Sequence, residues 1–100
     1  MSQLKDQVAL VSGGAGGIGS AIAKLLAQEG AAVGVVDRPE SNGLAVAQQI
    51  RGEGGQAVFI PADLTQAGQA ALAVTKTLES YGKLTILVNA IGLLRNGRVD

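Results

Sequence analysis

The 100 residues predict an α/β fold, a parallel sheet covered by helices on both faces. Three observations carry this. Short apolar runs without polar alternation recur along the chain, as strands buried on both sides require. Amphipathic stretches of helical length separate them. Aromatic residues make up 2% of a sequence that is 47% hydrophobic, so the core must be built from Val, Ile, Leu and Ala.

The first run is Val8-Ala9-Leu10-Val11. On the helical stretch after it, Ile18, Ile22, Leu25 and Leu26 form one apolar stripe, and Gly30 suits a left-handed helix end. The second run is Ala32-Val33-Gly34-Val35-Val36. A second helix is expected to open at Pro39-Glu40, where a missing N–H is harmless and a carboxylate suits the helix dipole. It carries Leu44, Ala47 and Ile50 and stops at Gly54-Gly55. After the third run, Ala57-Val58-Phe59-Ile60, Thr65 is the expected N-cap of a third helix. That helix carries Ala67, Ala70, Ala71, Val74, Leu78 and Tyr81 on one face, with Gly82 beyond it. Thr85-Ile86-Leu87-Val88 is the fourth run. The resulting βαβαβαβ order, with right-handed crossovers, predicts a doubly wound parallel sheet of Rossmann type with strand order 3-2-1-4. Its ligand crevice should open at the carboxyl ends of strands 1 and 4.

Eight basic and eight acidic residues cancel, leaving no electrostatic footprint for nucleic acid or an anionic membrane. With no cysteine and no histidine, a disulfide framework and the usual zinc sites are excluded. No apolar run approaches the ~18 residues of a membrane span, and Met1 to Asp6 lacks the apolar stretch of a secretory signal. A soluble cytoplasmic protein is the default expectation.

The chemistry is concentrated after strand 1, where Ser12-Gly13-Gly14-Ala15-Gly16-Gly17-Ile18-Gly19 runs into the first helix. A pyrophosphate can lie against the free N–H groups of a helix start only if no Cβ intrudes, and the tight turn needs positive φ. The spacing fits G-x-G-x-x-G through Gly14, Gly16 and Gly19. It also fits G-x-x-G-x-x-G through Gly13, Gly16 and Gly19, and G-x-x-x-G-x-G through Gly13, Gly17 and Gly19. Asp37 ends strand 2, 18 residues past Gly19, close to the ~20 expected of a ribose-binding carboxylate. It would accept both ribose hydroxyls and repel a 2′-phosphate, favouring NAD over NADP. Arg38 is the counter-signal, since a basic residue there could pair with that phosphate. Asp63, just beyond strand 3, reads equally well as a local cap.

These motifs resemble the short-chain dehydrogenase/reductase family. The loop is similar to T-G-x-x-x-G-I-G with Ser12 for threonine, which selects the Gly13, Gly17, Gly19 spacing. Asp63-Leu64 is similar to the acidic-aliphatic pair after strand 3. Leu87-Val88-Asn89-Ala90-Ile91-Gly92 is similar to L-V-N-N-A-G, with Ala90 for the second asparagine and Ile91 for alanine. The resemblance implies a dinucleotide held by Gly13, Ala15, Gly17, Ile18 and Gly19, by Asp37 and Arg38, by Asp63 and Leu64 along the adenine, and by Asn89, Ala90 and Gly92. It also implies hydride transfer to or from an alcohol or carbonyl substrate, in a homo-oligomer. The family's serine, Tyr-x-x-x-Lys pair and further asparagine have no counterpart here. Tyr81 and Lys83 are two apart, so no catalytic residue is assigned.

Strand 4 is apolar on both faces and nothing follows to cover it, so residues 1–100 are expected to be the amino-terminal portion of a single dinucleotide-binding domain, incomplete at the carboxyl end. Two other readings compete. One is a non-catalytic nucleotide-binding module. The other is an S-adenosylmethionine-dependent methyltransferase, which Ser12 disfavours because such loops usually follow an acidic residue.

Overall fold

In the computed structural model, which describes residues 3–90, four strands and three helices alternate in the expected order. They are β1 (Val8–Ser12), α1 (Gly17–Gln28), β2 (Ala32–Asp37), α2 (Gly43–Gly52), β3 (Gln56–Pro61), α3 (Gln69–Tyr81) and β4 (Ile86–Asn89). The sheet is parallel throughout, in the order β3-β2-β1-β4. β1 is therefore central, and all five of its residues are buried.

Alternation along β2 divides the core. Val33 and Val35 face α1 and α2 with Val11, Ala23, Val46, Ala47, Ile50 and Ala57. Val36 faces the α3 side with Leu10, Ile60, Ala62 and Ala73. Gly34 lies on that second face, where an added Cβ would come within 3.2 Å of both Leu10 and Thr77. The missing side chain lets α3 approach β2.

The helices meet the sheet through smaller residues than their apolar stripes suggest. On α1 the buried positions are Gly19 and Ala23, with Leu26 and Ala27 partly buried, while Ile18 and Leu25 are exposed. On α3 they are Ala73 and Thr77, and Leu78 is exposed. Ala47 and Ile50 of α2 are buried as expected, joined by Gly43 and Val46, but Leu44 is half exposed. Small side chains win the contact face because they let a helix backbone lie close against a valine-rich sheet.

Two helix starts differ from expectation. Pro39-Glu40 is not the first turn of α2 but the centre of a separate β-turn, closed by the Ser41 N–H donating to the Arg38 carbonyl at 3.0 Å. Proline's fixed φ suits position i+1 of such a turn as well as a helix start. Thr65 is not the cap of α3, which begins four residues later after Gly68, itself at φ 83°. Thr65 is held instead by Asp63.

The helix ends follow the glycines. At α1 the N–H groups of Gly30 and Ala31 donate to the carbonyls of Ala27 and Leu26, and at α2 those of Gly54 and Gly55 donate to Arg51 and Ile50. Both are Schellman closures, with Gly30 at φ 105° and Gly54 at φ 93°. Gly82, at φ 81°, ends α3 by a single bond to Leu78. Leu87 of β4 is 69% exposed.

Candidate functional site

The carboxyl ends of the four strands bring together every sequence-assigned residue within the described range. Gly92 lies outside the described residues. Ser12 ends β1, and its hydroxyl lies 3.1 Å from Asn89 Oδ1 and 3.3 Å from the Val88 carbonyl, close enough to donate to either. The Ala90 N–H donates to the Ser12 carbonyl at 3.0 Å. Serine thus does here what a threonine hydroxyl could do, tying β1 to β4 where the loop departs. Asn89 Oδ1 is thus within hydrogen-bond reach of the Ser12 hydroxyl at the sheet end.

The glycines of the loop have separate physical reasons. Gly13 turns the chain at φ 73°, a conformation that disfavours any side chain. Gly14 packs against β2, since its Cβ would lie 2.8 Å from Val35 Cγ1 and 3.1 Å from the Val11 carbonyl oxygen. Gly19 sits against the loop itself. A Cβ there would overlap the Gly13 carbonyl oxygen and lie 2.8 Å from its carbon and 3.0 Å from Gly14 Cα. Gly17 is different: a Cβ would meet nothing within 4 Å. Gly14 is absent from the selected spacing, although the G-x-G-x-x-G reading through Gly14, Gly16 and Gly19 includes it.

The loop amides divide in the same way. Gly14 donates to the Val36 carbonyl, Gly16 to that of Gly13, and Ser20 to that of Gly16. The Ala15 N–H donates to Asp37 Oδ2 at 2.9 Å, across the boundary between the loop and the next strand. The N–H groups of Gly17, Ile18 and Gly19 have no protein acceptor among the described residues. They are the first turn of α1, whose dipole places partial positive charge there. An anion that displaced nothing could take all three.

Asp37 is the hinge of the arrangement. One carboxylate oxygen accepts the Ala15 N–H and the other accepts the Arg38 N–H at 2.8 Å. Beside it, Val36, Asp37, Arg38, Ala62, Asp63, Leu64 and Thr65 line a cleft of about 210 Å³. The residues assigned after strands 2 and 3 therefore share one surface. Arg38 extends into solvent and pairs with Glu40, Nε to Oε2, at 3.5 Å.

Asp63 has a local function as well. Its Oδ1 accepts both the Thr65 hydroxyl, at 2.6 Å, and the Thr65 N–H, at 3.0 Å. These two bonds hold the Asp63 carboxyl below the ordinary aspartate range, the hydroxyl contributing most. A depressed carboxylate stabilises the turn above its unfolded value, and that support is lost as pH falls through the folded value. Following the Asp63 carboxyl carbon by NMR titration should give a midpoint below that of a free aspartate. Thr65→Ala should move it upward, and an unmoved midpoint would remove the turn as the cause.

Tyr81 and Lys83 lie elsewhere. They line a cavity at the amino ends of the strands with Lys5, Gln7, Val8 and Gly55, opposite the glycine loop. Burial pushes the Tyr81 hydroxyl up from its ordinary value. No group of three or more potential metal ligands occurs among the described residues, and no helix among them is long and apolar enough to cross a membrane.

Comparison with known proteins places this geometry among oxidoreductases. The family model described as short chain dehydrogenase matches residues 7–100. The chain is 41% identical over 96 residues to the 2,5-dichloro-2,5-cyclohexadiene-1,4-diol dehydrogenase of Sphingobium indicum, covering 96% of this chain and 38% of that protein. It is 38% identical over 89 residues to the 3-hydroxyacyl-CoA dehydrogenase type-2 of Drosophila melanogaster, covering 89% of this chain and 34% of that one. Among solved structures it superposes on a dehydrogenase/reductase from Sinorhizobium meliloti with a TM-score of 0.85 at 44% identity, over 90% of this chain and 36% of the other. A hydroxysteroid dehydrogenase from Escherichia coli gives a TM-score of 0.83 at 32% identity, over 87% of this chain and 37% of the other. The chain thus spans little more than a third of the length of these relatives.

Proposed function

Because this chain belongs to the short chain dehydrogenase family, we propose that the carboxyl ends of β1 to β4 hold a nicotinamide dinucleotide, NAD(H) in preference to NADP(H). The oxidoreductase so formed interconverts an alcohol and a carbonyl. The observation that carries this reading is the open space beside Gly17, next to three amides without a protein acceptor. Protein packing accounts for Gly14 and Gly19 but not for Gly17, and a bound pyrophosphate does. The methyltransferase alternative falls with family membership.

In this reading Gly13 and Gly19 shape the loop, Gly17 leaves room for the phosphates, and the amides of Gly17, Ile18 and Gly19 hold them. Ala15 stands beside the ribose through its bond to Asp37. Asp37 takes the ribose hydroxyls, and the cleft lined by Arg38, Asp63 and Leu64 takes the adenine. Asn89 and the backbone at Ala90 carry the crevice towards the nicotinamide. The dinucleotide, when bound, supplies the hydride exchange. The residues that move the proton, and the substrate pocket, are assigned to the part of the relatives' length that this chain does not span. By the same resemblance the working protein is a homo-oligomer with small molecules as its partners, and its balanced charge favours neither nucleic acid nor an anionic membrane among them.

Asp37→Ala in the full-length protein tests the assignment. It removes a charged acceptor from the ribose, so NAD should bind about tenfold more weakly, the equivalent of one charge-assisted hydrogen bond. NADP should lose less, because the same substitution removes a repulsion. A binding titration that left the NAD-to-NADP ratio unchanged would sink the role of Asp37.

A further inference from the structure

The turn between β2 and α2 has a use that α2 itself does not require. Arg38-Pro39-Glu40-Ser41 closes on the 3.0 Å bond from the Ser41 N–H to the Arg38 carbonyl, with Pro39 fixing φ at the second position. That geometry folds Glu40 back over Arg38, carboxylate to guanidinium at 3.5 Å. Arg38 lines the same cleft as Asp37 and Asp63, and its charge is felt at Asp63. The guanidinium is therefore paired with Glu40, while Asp37 and Asp63 line the same cleft as Arg38.

We propose that Glu40 is a specificity-determining residue, which occupies Arg38 and keeps it from recruiting the 2′-phosphate of NADP. The proposal rests on the dinucleotide reading above and deepens it. Asp37 excludes the phosphate directly, by charge and by its claim on the ribose hydroxyls. Glu40 acts one step further out, on the only basic side chain among the described residues that line the cleft. A 2′-phosphate that approached would have to compete with Glu40 for the guanidinium while also meeting Asp37. Both partners of the pair are well exposed, with side-chain accessibilities of 65% and 70%, so solvent screens the pairing and the effect is modest.

The test is a set of binding titrations of NAD and NADP to the full-length protein, read by calorimetry so that turnover is not involved. Glu40→Gln should tighten NADP about two- to fivefold relative to NAD, the range of an exposed ion pair. In an Arg38→Met background the same substitution should gain much less, because the arginine it releases is gone. If Asp37 alone holds NADP below detection, the comparison runs in an Asp37→Asn background, where the Glu40 effect should appear in full. An unchanged NADP-to-NAD ratio in Glu40→Gln, or a gain that persists undiminished without Arg38, overturns the proposal while leaving the dinucleotide site intact. Failure of the unmodified protein to bind either dinucleotide overturns the underlying reading, and this inference with it.

Discussion

Gly19→Ala is expected to destabilise the protein by about 2 kcal/mol and to weaken NAD binding by more than tenfold. The added methyl has no soft neighbour to displace. It meets the carbonyl of Gly13 and the Cα of Gly14, both backbone, in a turn already fixed by Gly13 at φ 73°. Overpacking of this kind typically costs about 1–3 kcal/mol, and alanine's better helix propensity returns up to ~1 kcal/mol at a regular helix position. Relief requires the loop to lift from the start of α1, which moves the amides away from any phosphate they hold. Urea unfolding and a dinucleotide titration on the same variant would measure both effects. A variant with normal stability and normal affinity would show that the loop accommodates the methyl without moving.

Gly17→Val is expected to separate those two effects. Its side chain would enter space that no protein atom occupies, so stability should stay within about 0.5 kcal/mol of the starting protein. Affinity for NAD should nevertheless fall by about a hundredfold. A branched side chain at the phosphate position forfeits at least one charge-assisted hydrogen bond, worth roughly 1.5–3 kcal/mol. Two glycines two residues apart would then have different signatures, one in both folding and binding and one only in binding. A Gly17→Val protein that bound NAD normally would remove the pyrophosphate from this loop.

The contrast shows what was legible in the sequence and what was not. The parallel sheet could be read because Val8 to Val11 and Ala32 to Val36 are apolar without alternation, and doubly buried parallel strands demand that pattern. The meeting of Asp37 with the loop could be read because adjacent parallel strands put their carboxyl ends side by side, in register from Ser12 to Val36. The division of labour among the glycines could not. Gly14, Gly17 and Gly19 are the same residue, and only the neighbours of their absent side chains tell them apart.

Helix faces were misread for a related reason. Ile18 and Leu25 are the more hydrophobic choices on α1, yet Gly19 and Ala23 make the contact, because hydrophobicity does not measure how closely two backbones must approach. Pro39 misled because its fixed φ serves a helix start and a β-turn equally. Only the bond from Ser41 to Arg38 decides between them. The approach of α2 to β3 was also hidden. Gly43 lies so close to the ring of Phe59 that any Cβ would strike it, and nothing in a run of loop-like residues announces that contact.

The three glycine closures at the ends of α1, α2 and α3 have a consequence for how such a chain can change. Each returns the chain to a strand's amino end by one tight, backbone-encoded turn, and all three lie away from the crevice at the strands' carboxyl ends. The crossings at the other end are irregular and carry Ala15, Arg38, Glu40, Asp63 and Leu64. Inheritance is thereby partitioned: one rim of the sheet preserves the scaffold, while on the other the packed glycines stay fixed and the exposed side chains beyond them can vary in charge. Descendants of this sequence could change the charge of the crevice rim at Arg38, Glu40 and Asp63 without renegotiating how the helices end.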